Sequence, residues 1–315
     1  MIRVTNNMLI NDLSRNLNTN MRQMELYQKQ LQTGRTINRP SDNPAGLVKS
    51  LRLRTNLTEG EQYLNNISEA ISFMETTDAA LDNIGQIMHR VRELTVKAAN
   101  TGTNDQGALN AIADEVEELN DQLKMIANTT YGSKHVFAGT NVTERPHTEG
   151  GNIDPPKDWI GNSGKLEVEI AVGIKMPINL TDEEMNNFFT SDVVTGLDES
   201  DEEIKVAGGI FALLDKIVTN IRDGEDIDEN LEFMDAKMED LLSCRSKIGA
   251  KVNRLELQES RLESTQIAYT GLLADNEDAN IAEVIMQLKM QENVFRASLA
   301  AGARIIQPSL VDFLR

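Results

Sequence analysis

Two apolar stripes, one near each end of the chain, limit what this sequence can fold into more than any other feature. Between Asn280 and Gln307 apolar side chains step by three and four residues, which places them on one face of an α-helix. A second stripe with similar spacing lies between Leu9 and Leu31. Each stripe needs a partner to cover it, either the other end of the same chain or a neighbouring molecule. The stripe residues are Leu9, Leu13, Leu17, Met24 and Leu31, and Val284, Leu288, Phe295, Leu299 and Ile306.

Helix-end signals flank both stripes. Asn280 and Glu283 have the spacing of a capping box, and Pro308 disfavours helical geometry at the residue before it. Gly34 is placed to end the first helix. Asn43 followed by Pro44 predicts a cap with proline at the first helical position, so a second helix begins there.

The body of the chain carries heptad-like apolar repeats. They predict helices over about 44–100, 109–126 and 231–273, with a weaker helix over 210–221. A short Gly-, Asn- and Thr-rich turn over 100–107 predicts that the third helix folds back antiparallel on the second. We therefore predict a mainly α protein, a long antiparallel coiled-coil helical bundle built from both chain halves, with a small inserted β domain.

The middle of the chain loses helical periodicity. Glycine and proline punctuate 132–205, and alternating apolar residues over 166–172 predict a half-buried strand. Thr181–Ile204 holds nine acidic and no basic residues, which we interpret as an exposed, poorly ordered or loosely helical lobe. The predicted domains are terminal helices (1–40 with 278–315), a helical bundle (41–133 with 206–277) and a β-rich insert (134–205).

Charge and cysteine content narrow the classes of function. The chain has a formal charge of −19, but its first 60 residues hold an excess of basic residues, so the acidity lies in the middle. This distribution argues against a nucleic-acid partner. The single cysteine, Cys244, is expected to be an ordinary small residue of a helix. We expect no cleaved signal peptide and no membrane-spanning segment, because the required apolar runs are missing.

An enzyme in the middle domain is an alternative of a different class. The three histidines, His89, His135 and His147, have no partner at metal-ligand spacing, and known hydrolase and nucleotide-binding motifs are missing. The acidic run Asp275–Asn280 lacks the glycine and distal glutamate of a calcium loop, so we interpret it as a helix break and cap. We therefore predict no catalytic residues, no metal site and no cofactor.

Three segments resemble the bacterial flagellin family. Leu31–Gly46 is similar to the family's N-terminal signature, Arg90–Asn100 to its Arg-Glu-Leu helix end, and Ala303–Arg315 to its terminal segment. Three details resemble the hook-filament junction branch, the third hook-associated proteins, more than filament subunits. They are the Arg-Pro-Ser-Asp-Asn-Pro turn from Arg39, Val136–Thr140, and the segment from Pro308 to Leu314.

The resemblance implies a structural subunit rather than an enzyme. Its expected partners are the first hook-associated protein, flagellin, further copies of itself in a ring, and the flagellar export chaperone and secretion apparatus. It implies export in an unfolded state and a place in the flagellum, with the two stripes becoming an assembly interface that orders on assembly. The physical pattern agrees, since two amphipathic ends without their own core can fold on binding neighbours.

Two alternatives stay open at this point. The chain could be a flagellin filament subunit, which polymerises in bulk whereas a junction subunit stops after a short ring. The two terminal stripes could also pair within one chain. We predict that aspartate at Leu288 or Leu299 leaves the stability of the monomer nearly unchanged and prevents assembly, because the stripe is unused before assembly. Aspartate at Leu255 should instead unfold the bundle.

Overall fold

A computed structural model describes residues 6–100, 106–147, 162, 164–180, 188–189, 193–197, 203–206, 209–224 and 227–306. Within these residues the fold is helical with three two-stranded antiparallel hairpins. The helices are α1 (Asn6–Thr33), α2 (Pro44–Ala99), α3 (Gln106–Ala127), α4 (Gly209–Asp223), α5 (Ile227–Glu277) and α6 (Ile281–Ile306). The strands are β1 (Thr130–Tyr131), β2 (Lys134–His135), β3 (Glu167–Ala171), β4 (Ile174–Pro177), β5 (Val193–Leu197) and β6 (Glu203–Val206). The predicted mainly α bundle with a small β insert is confirmed.

Local signals in the sequence set the helix ends. The Asn43 side-chain carbonyl accepts a hydrogen bond from the amide of Gly46 at 2.9 Å, so Asn43 caps α2 and Pro44 takes the first helical position. Gly34, at φ +69°, follows α1, and its amide donates to the carbonyl of Gln30. The Asn280 side chain accepts from the amide of Glu283 at 3.4 Å, a long version of the predicted cap.

The chain forms two compact units. One comprises 1–59 and 264–315, and the other comprises 60–263. The three-part division into terminal helices, helical bundle and β-rich insert remains a proposal.

In the unit formed by 60–263, α2 and α5 run antiparallel. Arg245 of α5 binds Asp78 at 3.0 Å and Asp82 at 2.7 Å on α2, and Arg92 of α2 binds Asp235 at 2.7 Å. As the residue number rises along α2, it falls along α5, which fixes the direction. Between them the side chains are apolar and buried, including Met74, Leu81, Ile84, Met88, Met234, Leu241 and Leu255.

Helices α3 and α4 pack against each other in the same unit. Arg222 near the end of α4 binds Asp114 and Glu117 of α3, and Asn120 of α3 donates to Asp215 at 2.8 Å. Desolvation is the main reason that the pKa of Asp215 lies above its ordinary value. The apolar faces of both helices join the core of α2 and α5.

The β segment belongs to this core as well. Ile170 of β3, Met176 of β4 and Phe137 before them are buried in the same cluster as the helices. The Asn66 side chain on α2 donates to the carbonyl of Glu169 on β3 at 2.9 Å, which ties the hairpin to the bundle. The predicted strand over 166–172 is thus confirmed as β3, which pairs with β4.

The interpretation of Thr181–Ile204 as an exposed, loosely helical lobe was wrong where the structure describes it. Phe188 and Phe189 are each only 1% exposed, and β5 pairs with β6 as an antiparallel hairpin. The two phenylalanine rings pack edge to face at 4.9 Å, and Phe189 also stacks on Phe211 of α4. Aromatic burial therefore anchors a segment whose charge suggested a solvated surface. The rest of the predicted lobe lies outside the described residues.

Candidate assembly surface

The terminal helices α1 and α6 pack against each other in the unit formed by 1–59 and 264–315. The Gln291 side chain on α6 donates to Asn20 on α1 at 3.1 Å, and the amide of Ala279 donates to the carbonyl of Gly34 at 2.9 Å. A Cβ placed on Gly302 would lie 2.5 Å from the Leu13 side chain. These contacts show an antiparallel pair with a close approach at Gly302, so intrachain pairing of the stripes is what the structure contains.

The predicted stripe residues differ in how far they are buried. Val284 and Leu288 are buried, at 7% and 8% exposure, and face the partner helix. The half-buried members are Leu13, Leu17, Met24 and Phe295. Leu9, Leu31 and Leu299 are exposed, at 42%, 37% and 48%. Ile306 is the last residue of α6, and its side chain lies outside the described residues.

The helix pair also exposes apolar residues that the stripe analysis missed. Met286, Met290 and Val294 step by four along one flank of α6, with 63%, 53% and 43% of their surface exposed. Ile281 and Ile285 lie on the other flank, at 42% and 44%. The four-residue spacing of the first group is a sequence signal that could have identified it. Further exposed apolar residues on α1 are Met8, Met21 and Leu26.

This distribution suits association with other molecules. A soluble monomer rarely exposes a large continuous apolar surface, and such surfaces usually mark contacts with partners. Because exposed apolar residues flank the buried face of α6 on both sides, the pair can contact neighbours on two sides without coming apart. We call the exposed apolar residues of α1 and α6 the assembly surface.

A charged cluster fixes the turn from which both terminal helices extend. Glu277, the last residue of α5, is 5% exposed and accepts from the Nε of Arg54 on α2 at 3.2 Å. The guanidinium of Arg35 lies 3.5 Å from the same carboxylate. The amide and hydroxyl of Thr36 both donate to the Glu277 carbonyl, at 2.6 and 3.0 Å. The segment after α1 is therefore joined to the break between α5 and α6.

The neighbouring Asn276 adds to this cluster. Its side-chain amide donates to the carbonyl of Gly46 at 2.9 Å and to the hydroxyl of Ser50 at 2.6 Å. Asp275–Asn280 thus contains the end of α5 and the start of α6, as predicted for a helix break and cap. Its side chains Asn276 and Glu277 bind protein groups.

Opposing effects act on the pKa of Glu277. Desolvation by burial raises the pKa, but hydrogen bonds from Arg54 and Ser50 and the charges of Arg54 and Arg35 outweigh it, so the pKa lies below its ordinary value. A carboxylate with a lowered pKa in the folded state stabilises the fold above its unfolded pKa. That contribution is lost as the pH falls through the folded pKa.

We expect Glu277→Gln to destabilise the unit that contains α1 and α6 by about 1–3 kcal/mol at pH 7, since it removes charge-assisted hydrogen bonds. The difference from wild type should shrink as the pH falls below about 4.5, the ordinary pKa of the group. Hydrogen exchange of the Thr36 and Ala279 amides between pH 3 and 7 measures it. Glu283→Gln, at an exposed carboxylate on α6, is the control. A pH-independent loss in Glu277→Gln would contradict this account.

The remaining candidate residues show no metal-binding arrangement. Among the described residues, no group of three or more His, Cys, Asp or Glu is placed to hold a metal ion. His89 is exposed on α2, whereas His135 and His147 lie near the end of α3. Cys244 is a buried residue of α5. No described helix is both long enough and apolar enough to cross a membrane.

Comparison with known proteins identifies relatives over most of the chain. Residues 4–142 match the bacterial flagellin N-terminal helical region. The flagellin of Bacillus subtilis is 29% identical over 303 residues, covering 95% of this chain and 93% of that protein. Flagellar hook-associated protein 3 of Escherichia coli is 23% identical over 313 residues, covering 95% and 96%.

Solved structures share the fold. The flagellar junction protein of Legionella pneumophila superposes with a TM-score of 0.55 at 17% identity, covering 74% of this chain and 100% of that structure. The matched N-terminal region contains α1, α2 and α3. The chain is therefore similar over most of its length to bacterial flagellins and flagellar hook-associated proteins.

Proposed function

We propose that the chain is a structural subunit of the bacterial flagellum, a junction adaptor that joins the hook-associated ring to the flagellin filament. The observation that carries this proposal is the assembly surface, an antiparallel pair of terminal helices that exposes Leu9, Met290, Leu299 and their neighbours to solvent. The proposal is also supported by similarity to a flagellin and to a hook-associated protein, each over 95% of this chain. A subunit placed between two kinds of neighbour needs apolar contacts on more than one side.

Two of the three details that resemble the junction branch form ordered turns in this fold. In the turn that begins at Arg39, Asp42 accepts hydrogen bonds from the amides of Asn38 and Arg39, at 3.1 and 2.7 Å. In Val136–Thr140, Gly139 has φ +69°, and a Cβ there would lie 1.8 Å from the carbonyl oxygen of Asn162. Both motifs are thus built into the fold, and Gly139 tolerates no side chain. The third detail, Pro308–Leu314, lies outside the described residues.

The proposed partners follow from this position. They are the first hook-associated protein on one side, flagellin on the other, and copies of this chain within a ring. We also propose export through the flagellar secretion apparatus with the help of an export chaperone, and a location in the flagellum outside the cell. Nucleic-acid binding and membrane insertion form no part of the proposal.

The proposed role is structural rather than catalytic. The named relatives are filament, hook-associated and junction proteins, and the carboxylates of Asp275–Asn280 do not form a calcium loop. In this role the assembly surface excludes water between subunits, and apolar contact does so without any catalytic residue.

Assembly with defined partners tests the proposal. Purified protein is mixed with precipitating salt, with and without flagellin filament fragments, and inspected by electron microscopy. We expect monomers or short rings alone, and caps on the ends of the fragments. Addition to hooks that carry the first hook-associated protein should then support growth of flagellin. Long filaments of the protein alone would overturn the junction role.

The second candidate is a flagellin filament subunit. The 29% identity to the Bacillus subtilis flagellin over 95% of this chain favours it. The same microscopy separates the two candidates, since a filament subunit polymerises in bulk and requires no second protein. Filaments that elongate in proportion to the added protein would support this second function.

A further inference from the structure

A cavity of about 570 Å³ lies at the end of α3, in the unit formed by 60–263. Four basic side chains line it: Lys124 on α3, His135 on β2, and Arg145 and His147 in the segment that follows. Asn128 and Thr130 add polar groups to the lining. None of the described lining residues is acidic. In a chain with 50 acidic and 31 Lys and Arg residues, this is a local reversal of charge.

Asn128 holds both imidazoles in place. Its side-chain amide donates to the carbonyl of His147, and its side-chain oxygen accepts from the amide of His147, each at 3.0 Å. The backbone carbonyl of Asn128 lies 3.1 Å from Nδ1 of His135. Because a carbonyl only accepts, Nδ1 carries the proton, and Nε2 becomes a donor when the ring is cationic.

Packing fixes His147 further. The ring is 7% exposed and meets the ring of Phe211 on α4 edge to face, with 4.8 Å between their centroids. Lys124 already binds Asp121 at 2.9 Å, although Asp121 is not among the described residues that line the cavity. Hydrogen bonds and packing thus hold His135 and His147 in position, so little ordering of these two residues is needed when a ligand binds.

We propose that this cavity binds a phosphate group. A doubly charged oxyanion can accept hydrogen bonds from several donors at once, and Arg and Lys are its usual partners in proteins. The volume of the cavity leaves room for a small organic group attached to the phosphate as well as for the free ion. The site is independent of the assembly surface, so its failure would leave the junction role untouched.

Titration calorimetry of the full chain at pH 6.0 tests the site. The probes are inorganic phosphate and glycerol 3-phosphate, with ionic strength held constant by chloride. We expect saturable binding of one equivalent. Tighter binding of glycerol 3-phosphate would indicate a carried phosphate group, and equal binding would indicate the free ion; both support the site.

Two charge-removing variants make the test specific. Arg145→Gln removes an exposed basic group of the cavity and should weaken binding about tenfold. Lys134→Gln removes the same charge from the residue next to His135 on β2. The Lys134 side chain lies 3.5 Å from Glu69 and is not among the described lining residues, so this change should alter binding less than about twofold. Shifts of the His135 and His147 ring resonances give a second measurement. Absence of saturable binding, or equal weakening by both variants, would overturn the proposal.

Discussion

Replacement of Leu255 by aspartate is expected to unfold the unit formed by 60–263. The Leu255 side chain has no exposed surface and belongs to the continuous apolar cluster of that unit. A carboxylate at this position must be buried without a partner or force the helices apart, and the lost leucine contacts add to that cost. We expect a loss of about 3–5 kcal/mol or more in the free energy of unfolding, measured by urea unfolding followed by circular dichroism.

Leu257→Asp is the matched control for this experiment. Leu257 lies two residues away on the same helix, and 75% of its surface is exposed. The same substitution there should change the free energy of unfolding by less than about 0.5 kcal/mol. Equal destabilisation by both variants would mean that α5 is sensitive to charge or helix propensity along its whole length, and the burial argument would fail.

The sequence predicted the helices well because local chemistry determines their ends. The helix predicted for about 44–100 is observed as Pro44–Ala99, and Asn43 caps it as expected. The helix predicted for 109–126 is observed as Gln106–Ala127. Apolar periodicity and capping residues act within a few positions of one another, so these features need no knowledge of the tertiary fold.

The acidic segment of the middle domain could not be predicted in the same way. Its charge suggested a solvated lobe, but Phe188 and Phe189 are buried; Phe189 packs against Phe137 and Phe211, and Phe188 packs against Phe189. Those partners lie about fifty residues earlier and twenty residues later in the chain, so a local sequence pattern cannot predict the contacts. Burial of two aromatic side chains outweighs the preference of neighbouring carboxylates for water.

The candidate surface was predicted only in part, because tertiary packing decides which apolar residues of a helix are exposed. A stripe shows which residues share one helix face, but it does not show whether the partner helix comes from the same chain. On α6 the buried face with Val284 and Leu288 is flanked by exposed Met290 and Leu299, all apolar. Periodicity alone cannot separate the two sets, because both are apolar and only the position of α1 distinguishes them.

The structure therefore predicts different effects for two aspartate substitutions, at Leu288 and Leu299, for which the sequence predicted the same effect. Leu288 is 8% exposed and Leu299 is 48% exposed, both on α6. Leu288→Asp should separate α1 from α6, with a loss of about 2–4 kcal/mol in the stability of the helix pair, and should prevent assembly as a consequence. Hydrogen exchange of the α1 and α6 amides measures the pairing, and electron microscopy measures capping of filament fragments.

Leu299→Asp should leave the helix pair stable but prevent assembly. The carboxylate can remain in water in the isolated chain, so exchange protection of α1 and α6 should stay within about 0.5 kcal/mol of wild type. Assembly should still be lost, since contact with a neighbour would bury that charge without a partner. Normal capping by Leu299→Asp would remove Leu299 from the assembly surface. Loss of protection equal to that of Leu288→Asp would show that the exposed flank already stabilises the pair, and that pairing and assembly use the same contacts.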